Sequence, residues 1–163
     1  MRTAVSLLRN RTHLNISTRA LVEGLRGVTA STGLMGRWHK LHDAPLAVCD
    51  TGHNAHGIRL VVEDLRRMRK NDARLICVVG FSADKDLNAI LAVLPREAYY
   101  IFTQAESHRA ALAEDVKQRA VAVGLNGEVV ANVKEALAKA RAMASPEDVI
   151  FVGGSNYVVA EIL

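Results

Sequence analysis

Cysteine, aromatic residues, long apolar runs and nucleotide-binding glycine loops are scarce or missing in this 163-residue sequence. Its two cysteines, Cys49 and Cys77, each sit inside an apolar strand-like run. A disulfide-stapled miniprotein is thereby excluded, and two small buried thiols in a reducing, cytoplasmic compartment are expected. The longest unbroken apolar run, Ala89 to Leu94, falls far short of the ~18 residues that cross a bilayer. No basic stretch followed by a long apolar one opens the chain, so neither membrane attachment nor a secretory leader is expected. Aromatics make up 4%, and the 21 basic and 17 acidic residues are interspersed despite a net charge of +4. Nucleic-acid platforms combine clustered cations with stacking rings, so a small polyanionic ligand is expected and nucleic acid is not. No glycine precedes a lysine and no two glycines are spaced GxG. Both the GxxxxGK[ST] phosphate loop and the dinucleotide fingerprint are therefore missing, and these residues alone cannot hold a nucleoside triphosphate in the usual way. Neither GxSxG nor HExxH occurs.

What is present is an ordinary globular composition, 50% apolar and 23% charged, enough for one domain with a core. Short β-branched runs alternate with amphipathic stretches, the pattern of an α/β sheet. Strands are expected at Leu46–Asp50, Arg74–Gly80, Ala98–Thr103, Glu128–Ala131 and Asp148–Val152, nearly all continuously apolar as in strands covered on both faces. Gly36 to His42, followed by Asp43-Ala44-Pro45, reads as an antiparallel edge strand hairpinned to the first of these. Ile58, Val61, Val62, Leu65 and Met68 form one helical stripe. A second helix begins near Asp86 and stops at Pro95, and a third is expected behind Ser107 as N-cap. A fourth opens on the capping box Asn132 to Glu135, and the last runs from Ser155 to Leu163. Ser17 caps a helix through about Leu25, and the glycine-rich stretch 24–36 reads as a connector.

In a parallel sheet the ligand crevice lies beyond the carboxyl ends of the strands. The segments in that position are 50–54, 81–86, 103–109 and 153–157, rich in the Asp, His, Asn, Lys, Ser and Gly that bind phosphate, ribose and carboxylates. Asp50-Thr51-Gly52-His53-Asn54 ends a strand and opens a helix, which gathers donors and acceptors at a positive helix end. Equally, Asp50 or Asn54 serves only as a helix cap. Cys49, Asp50, His53 and His56 are close enough in sequence for a metal reading, but Cys49 faces away from Asp50 and no distal ligands complete a set, so no metal site is assigned. Lys85 either neutralises a phosphate or carboxylate or is simply solvated, with Asp86 as a cap. Gly153-Gly154-Ser155 is either an anion-competent turn or close packing.

Gly-Leu-Met-Gly-Arg-Trp (33–38), the Asp-x-x-His-Asn step (50–54), VVGFSADKD (78–86) and VIFVGGSNYVVAEIL (149–163) occur in that order. Together they resemble the C-terminal domain of folylpolyglutamate synthase/dihydrofolate synthase, of the Mur ligase superfamily of ATP-dependent amide ligases. The family's DxAHNP stands here as DTGHNA, with Asp50, His53 and Asn54 retained. The resemblance implies an α/β, Rossmann-like three-layer domain whose six-stranded sheet is mostly parallel with one antiparallel edge strand. Residues 1–32 would be a helical lead-in and connector, and 33–163 the ligase domain. The resemblance also implies an N-terminal ATPase domain, covalently linked in the full protein, that holds most of the ATP, the Mg2+ and the pterin.

The implied reaction activates the carboxylate of dihydropteroate or a folate as an acyl phosphate, which the amine of L-glutamate then attacks. By the same resemblance, Arg37 approaches the ATP phosphates, and Asp50 and Asn54 serve the nucleotide side. His53 orients glutamate or the acyl phosphate, and Asp84, Lys85 and Asp86 line the cleft, Lys85 among the catalytic groups. Ser155 and Tyr157 flank the incoming glutamate. A peptidoglycan-building Mur ligase and a non-catalytic α/β binding module are the alternatives.

Overall fold

The computed structural model describes residues 2–11, 15–70 and 72–163. Contacts divide the chain into two units, Met1–Met35 and Gly36–Leu163. The first unit is helical, with α1 (Arg2–Arg11), α2 (Thr18–Arg26) and α3 (Val28–Thr32). Ser17 caps α2 as expected, its Oγ accepting the Ala20 N–H at 3.0 Å. The connector of the sequence reading contains α3, a short helix that its flanking glycines hid. Gly27 closes α2 by donating its N–H to the Glu23 carbonyl, and Gly33, at φ 67, closes α3.

The second unit is an α/β domain. Its strands are β1 (His39–Asp43), β2 (Leu46–Asp50), β3 (Leu75–Val79), β4 (Tyr99–Phe102), β5 (Asn126–Val129) and β6 (Val149–Gly153). They form one six-stranded sheet in the order β1-β2-β6-β3-β4-β5, parallel except for the β1–β2 hairpin. The central strands β3 and β6 are buried along their whole length, which is why they read as unbroken apolar runs. Alternation along each strand sends side chains to opposite faces. Val48, Leu75, Cys77, Val79, Tyr100, Phe102 and Phe151 pack under α4 (Ala55–Met68), α5 (Leu87–Leu91) and α6 (Ala113–Ala122). Ala47, Cys49, Ile76, Val78, Ile101, Ile150 and Val152 pack under α7 (Val133–Met143) and α8 (Asn156–Ala160). The result is the expected three layers. Both cysteines are free and buried in these cores, and burial, with Asp50 beside it, pushes the Cys49 thiol up to about 11.

The structure corrects several boundaries. Gly36 (φ 77) and Trp38 (φ 47) form a turn, so β1 begins at His39. Strand β5 lies two residues earlier than expected, because Gly127 is where the Tyr100 backbone approaches too closely to leave room for a Cβ. Ser107 does not cap α6. Its Oγ accepts the Arg109 N–H at 3.2 Å, while Gln104, nine residues before the helix starts, supplies the oxygen that accepts the Ala113 N–H at 2.9 Å. The expected Asn132 cap is present, accepting from the N–H groups of Lys134 and Glu135.

At the amino ends of β3 and β6, Asp148 is 3% exposed. Its oxygens accept from the Arg74 N–H at 2.8 Å, the Ser145 N–H at 2.8 Å and the Arg74 guanidinium at 2.7 and 3.0 Å. Burial alone would raise this carboxyl, but the hydrogen bonds and the guanidinium charge outweigh it and hold it below the usual range. Asp148→Ala is expected to cost about 2–3 kcal/mol by stranding those donors, measured by urea unfolding. Because the folded pKa is depressed, the wild-type advantage is complete above the unfolded value near 3.8 and is lost as the pH falls through the folded one. A wild-type advantage that stays constant from neutral pH to pH ~2 would contradict this linkage.

Candidate active site

The chain leaves β2 and β3 toward α4 and α5 on one face of the sheet, and leaves β6, which lies between them, toward α8 on the other. Loops that diverge from neighbouring strands open a crevice at their junction, the place where open α/β sheets bind ligands. A cavity of about 260 Å³ lies there, lined by His53, Ser82, Asp84, Lys85, Arg109, Ser155, Asn156 and Tyr157.

The β2–α4 step supplies His53. Its Nδ1 lies 2.9 Å from the Thr51 carbonyl, an acceptor only, so Nδ1 carries the proton and Nε2 is the ring's available nitrogen. Asn54 is the cap of α4, accepting the Gly57 N–H at 2.8 Å. Asp50 is not a helix cap. Its Oδ1 accepts the Gly52 N–H at 2.7 Å and its Oδ2 accepts the Trp38 N–H at 2.9 Å. The Thr51 N–H, in turn, donates to the Gly36 carbonyl at 2.9 Å. The carboxylate therefore straps the turn bearing Arg37 to the end of β2, and Arg37 itself is exposed.

The loops after β3 and β4 are stitched together by Ala83 N–H to Arg109 O at 2.8 Å and Ala111 N–H to Phe81 O at 2.9 Å. This places Arg109 beside Asp84 and Lys85. Lys85 Nζ is 3.0 Å from Asp84 Oδ2, and Arg109 Nη2 is 3.6 Å from the same oxygen. The hydrogen bond from Lys85 is the main reason the Asp84 carboxyl lies below its usual range, with the Arg109 charge a smaller contributor. Asp86 caps α5 through the Ala89 N–H at 3.0 Å. On the β6 side, Gly154 (φ 92) turns the chain so that Ser155, 3% exposed, caps α8 and Tyr157 stands at the opening.

The cavity thus gathers His53, Asp84, Lys85, Ser155 and Tyr157 from the residues singled out in sequence. Arg37, Asp50, Asn54 and Asp86 do not line it. Ser82, Arg109 and Asn156 do. Topology already placed Arg109 on this rim, but only the pairing of β3 with β4 brings it against Asp84. Among the described residues there is no group of three or more His, Cys, Asp or Glu side chains able to hold a metal, and no helix long and apolar enough to cross a membrane.

The domain thus carries a cleft at its strand ends lined by two cationic side chains, Lys85 and Arg109, and by hydroxyl groups of Ser82, Ser155 and Tyr157. Residues 36–156 match the family described as Mur ligase, glutamate ligase domain, and the chain belongs to that family. It is 31% identical over 163 residues to a dihydrofolate synthase/folylpolyglutamate synthase of Escherichia coli, covering 99% of this chain and 36% of that protein. It is 34% identical over 161 residues to a probable bifunctional folylpolyglutamate synthase/dihydropteroate synthase of Haloferax volcanii, covering 97% and 18%. The chain thus spans about a third or less of these relatives. Among solved structures, E. coli FolC in complex with DHPP and ADP is similar, with a TM-score of 0.81 at 30% identity over 98% of this chain and 36% of that one. A bifunctional folylpolyglutamate synthase/dihydrofolate synthase with Mn, AMPPNP and L-glutamate bound has a TM-score of 0.82 at 27% identity, covering 98% and 37%.

Proposed function

We propose that this chain is the amino-acid-accepting part of an ATP-dependent amide ligase that adds L-glutamate to dihydropteroate or a folate through an acyl phosphate. The observation that carries the reading is the convergence of Lys85, Arg109, His53 and Ser155 on one cleft in a chain of this family. The relatives' names favour the folate branch over the peptidoglycan one. In this reading residues 1–32 are a lead-in and connector, and 33–163 are the ligase domain. A linked N-terminal ATPase domain holds most of the ATP, which would supply the activating phosphoryl group, and the Mg2+, which would neutralise phosphate charge; the protein works in the cytoplasm.

The chain's own residues then seat and orient the amino acid. Lys85 and Arg109 receive carboxylate charge, and Ser155 and Tyr157 border the amino acid. His53, its ring fixed on Thr51, aligns the attacking amine. Arg37 meets phosphoryl oxygens from across the interdomain cleft, where a fixed guanidinium stabilises growing negative charge. Asp50 acts first by holding the Arg37 turn, and its unused lone pairs serve a ribose hydroxyl. Asn54 and Asp86 act as helix caps that set the two loops.

The test is ATP-dependent incorporation of labelled L-glutamate into dihydropteroate or a reduced folate by the longer protein that carries this domain. The 163 residues alone are expected to fold and give no turnover. They have no phosphate loop, and one wall of a cleft cannot supply the positioning of both reactants. Amide formation by the chain alone would contradict that assignment.

A further inference from the structure

We propose that Asp84 is a built-in competitor, its carboxylate occupying the seat that Lys85 and Arg109 form for a substrate carboxylate, so that a ligand must displace it to bind. The inference rests on reading the cleft as a glutamate seat. A single oxygen, Asp84 Oδ2, lies 3.0 Å from Lys85 Nζ and 3.6 Å from Arg109 Nη2, and all three side chains line the same cavity. Among the described residues neither cation has another carboxylate within ion-pair distance. The cations come from different loops whose backbones are joined by Ala83 N–H to Arg109 O, and Lys85 N–H donates to Ser82 O at 3.2 Å. These backbone bonds keep the two loops together when the carboxylate swings away, so both cations remain within reach of the cavity.

Displacement is easy because the contacts are solvent-exposed, with the Asp84 side chain 46% and the Arg109 side chain 52% accessible. Exposed pairs of this kind change an equilibrium by about fivefold at most. A ligand carboxylate that meets the guanidinium in a bidentate fork makes the stronger contact. The benefit lies in discrimination. Two bare cations in a cleft would collect any small anion, phosphate included. With Asp84 in the seat, net attraction is weak, and only a ligand that also reaches His53 and Ser155 binds well. If Asp84 were instead a scaffold for the two cations, its loss would weaken binding, so the two roles predict opposite signs.

The experiment is an NMR titration of the 163-residue chain with L-glutamate and, separately, inorganic phosphate, following the amides of Ser82, Lys85, Arg109 and Ser155. Wild type, Asp84→Asn, Asp84→Ala and Lys85→Met are compared, with thermal melts to verify that each is folded. Both Asp84 variants are expected to bind L-glutamate about two- to fivefold tighter, with a larger gain for phosphate, while Lys85→Met weakens both ligands. Unchanged or weaker L-glutamate binding in the Asp84 variants, with the wild type responding, overturns the competitor role alone. No response to L-glutamate at these amides in any of the proteins overturns the glutamate seat, and the competitor role falls with it.

Discussion

His53→Ala is expected to lower ligation by about 100-fold in the longer protein that carries this domain, because in the proposed reaction the ring holds reacting groups in line and a small misplacement at that step is costly. Stability should hardly change. His53 is only half-buried, and losing the ring's hydrogen bond from Nδ1 to the Thr51 carbonyl leaves an acceptor that water can satisfy, so the expected cost is about 0.5–1 kcal/mol. Steady-state ligation beside urea unfolding separates the two effects. A variant that melts early but turns over normally would make the β2–α4 step purely structural.

Gly154→Ala is expected to be a strongly damaging single-methyl change at the cleft. The residue sits at φ 92, where an L side chain is strained, and its Cβ would stand 2.6 Å from the Phe81 ring and 2.7 Å from the Gly80 carbonyl. Backbone strain and overpacking together should cost about 3–5 kcal/mol. Gly124→Ala provides the control. Its φ of 81 is similarly strained, but nothing lies closer than the Arg96 side chain at 3.9 Å, and the expected cost is about 1–2 kcal/mol. Equal losses at the two positions, measured by urea unfolding, would mean that contact with Phe81 and Gly80 is relieved without effect. Because Ser155 follows Gly154 directly, any surviving variant should also bind L-glutamate more weakly.

The sheet was legible because its central strands are covered on both faces, so β2, β3, β4 and β6 carry unbroken apolar runs that cannot face water. The rim was legible for a related reason: parallel strands all end on one side, which places residues 50–54, 81–86, 103–109 and 153–157 together without any contact being known. What stayed hidden depends on pairs distant in sequence. Asp50 resembles a helix cap until its second oxygen is seen to hold the Trp38 N–H, twelve residues back. Ser107 is the better local cap, yet the Gln104 side chain reaches the start of α6 because the loop between them is pinned elsewhere, by Glu106 N–H to Glu161 and by the Ser82–Ala110 bridge. The strand expected from Glu128 begins at Asn126 instead, because the fold uses the missing Cβ of Gly127 to bring β5 against Tyr100.

The most direct test of the glutamate-accepting role is the position of L-glutamate in crystals of this chain grown with the amino acid at saturating concentration. Density is expected in the cleft after β2, β3 and β6, with a carboxylate on Lys85 and Arg109 and the amine toward His53. Density instead in the hollow at the opposite end of the sheet, between Lys70 and Asp148, would contradict it.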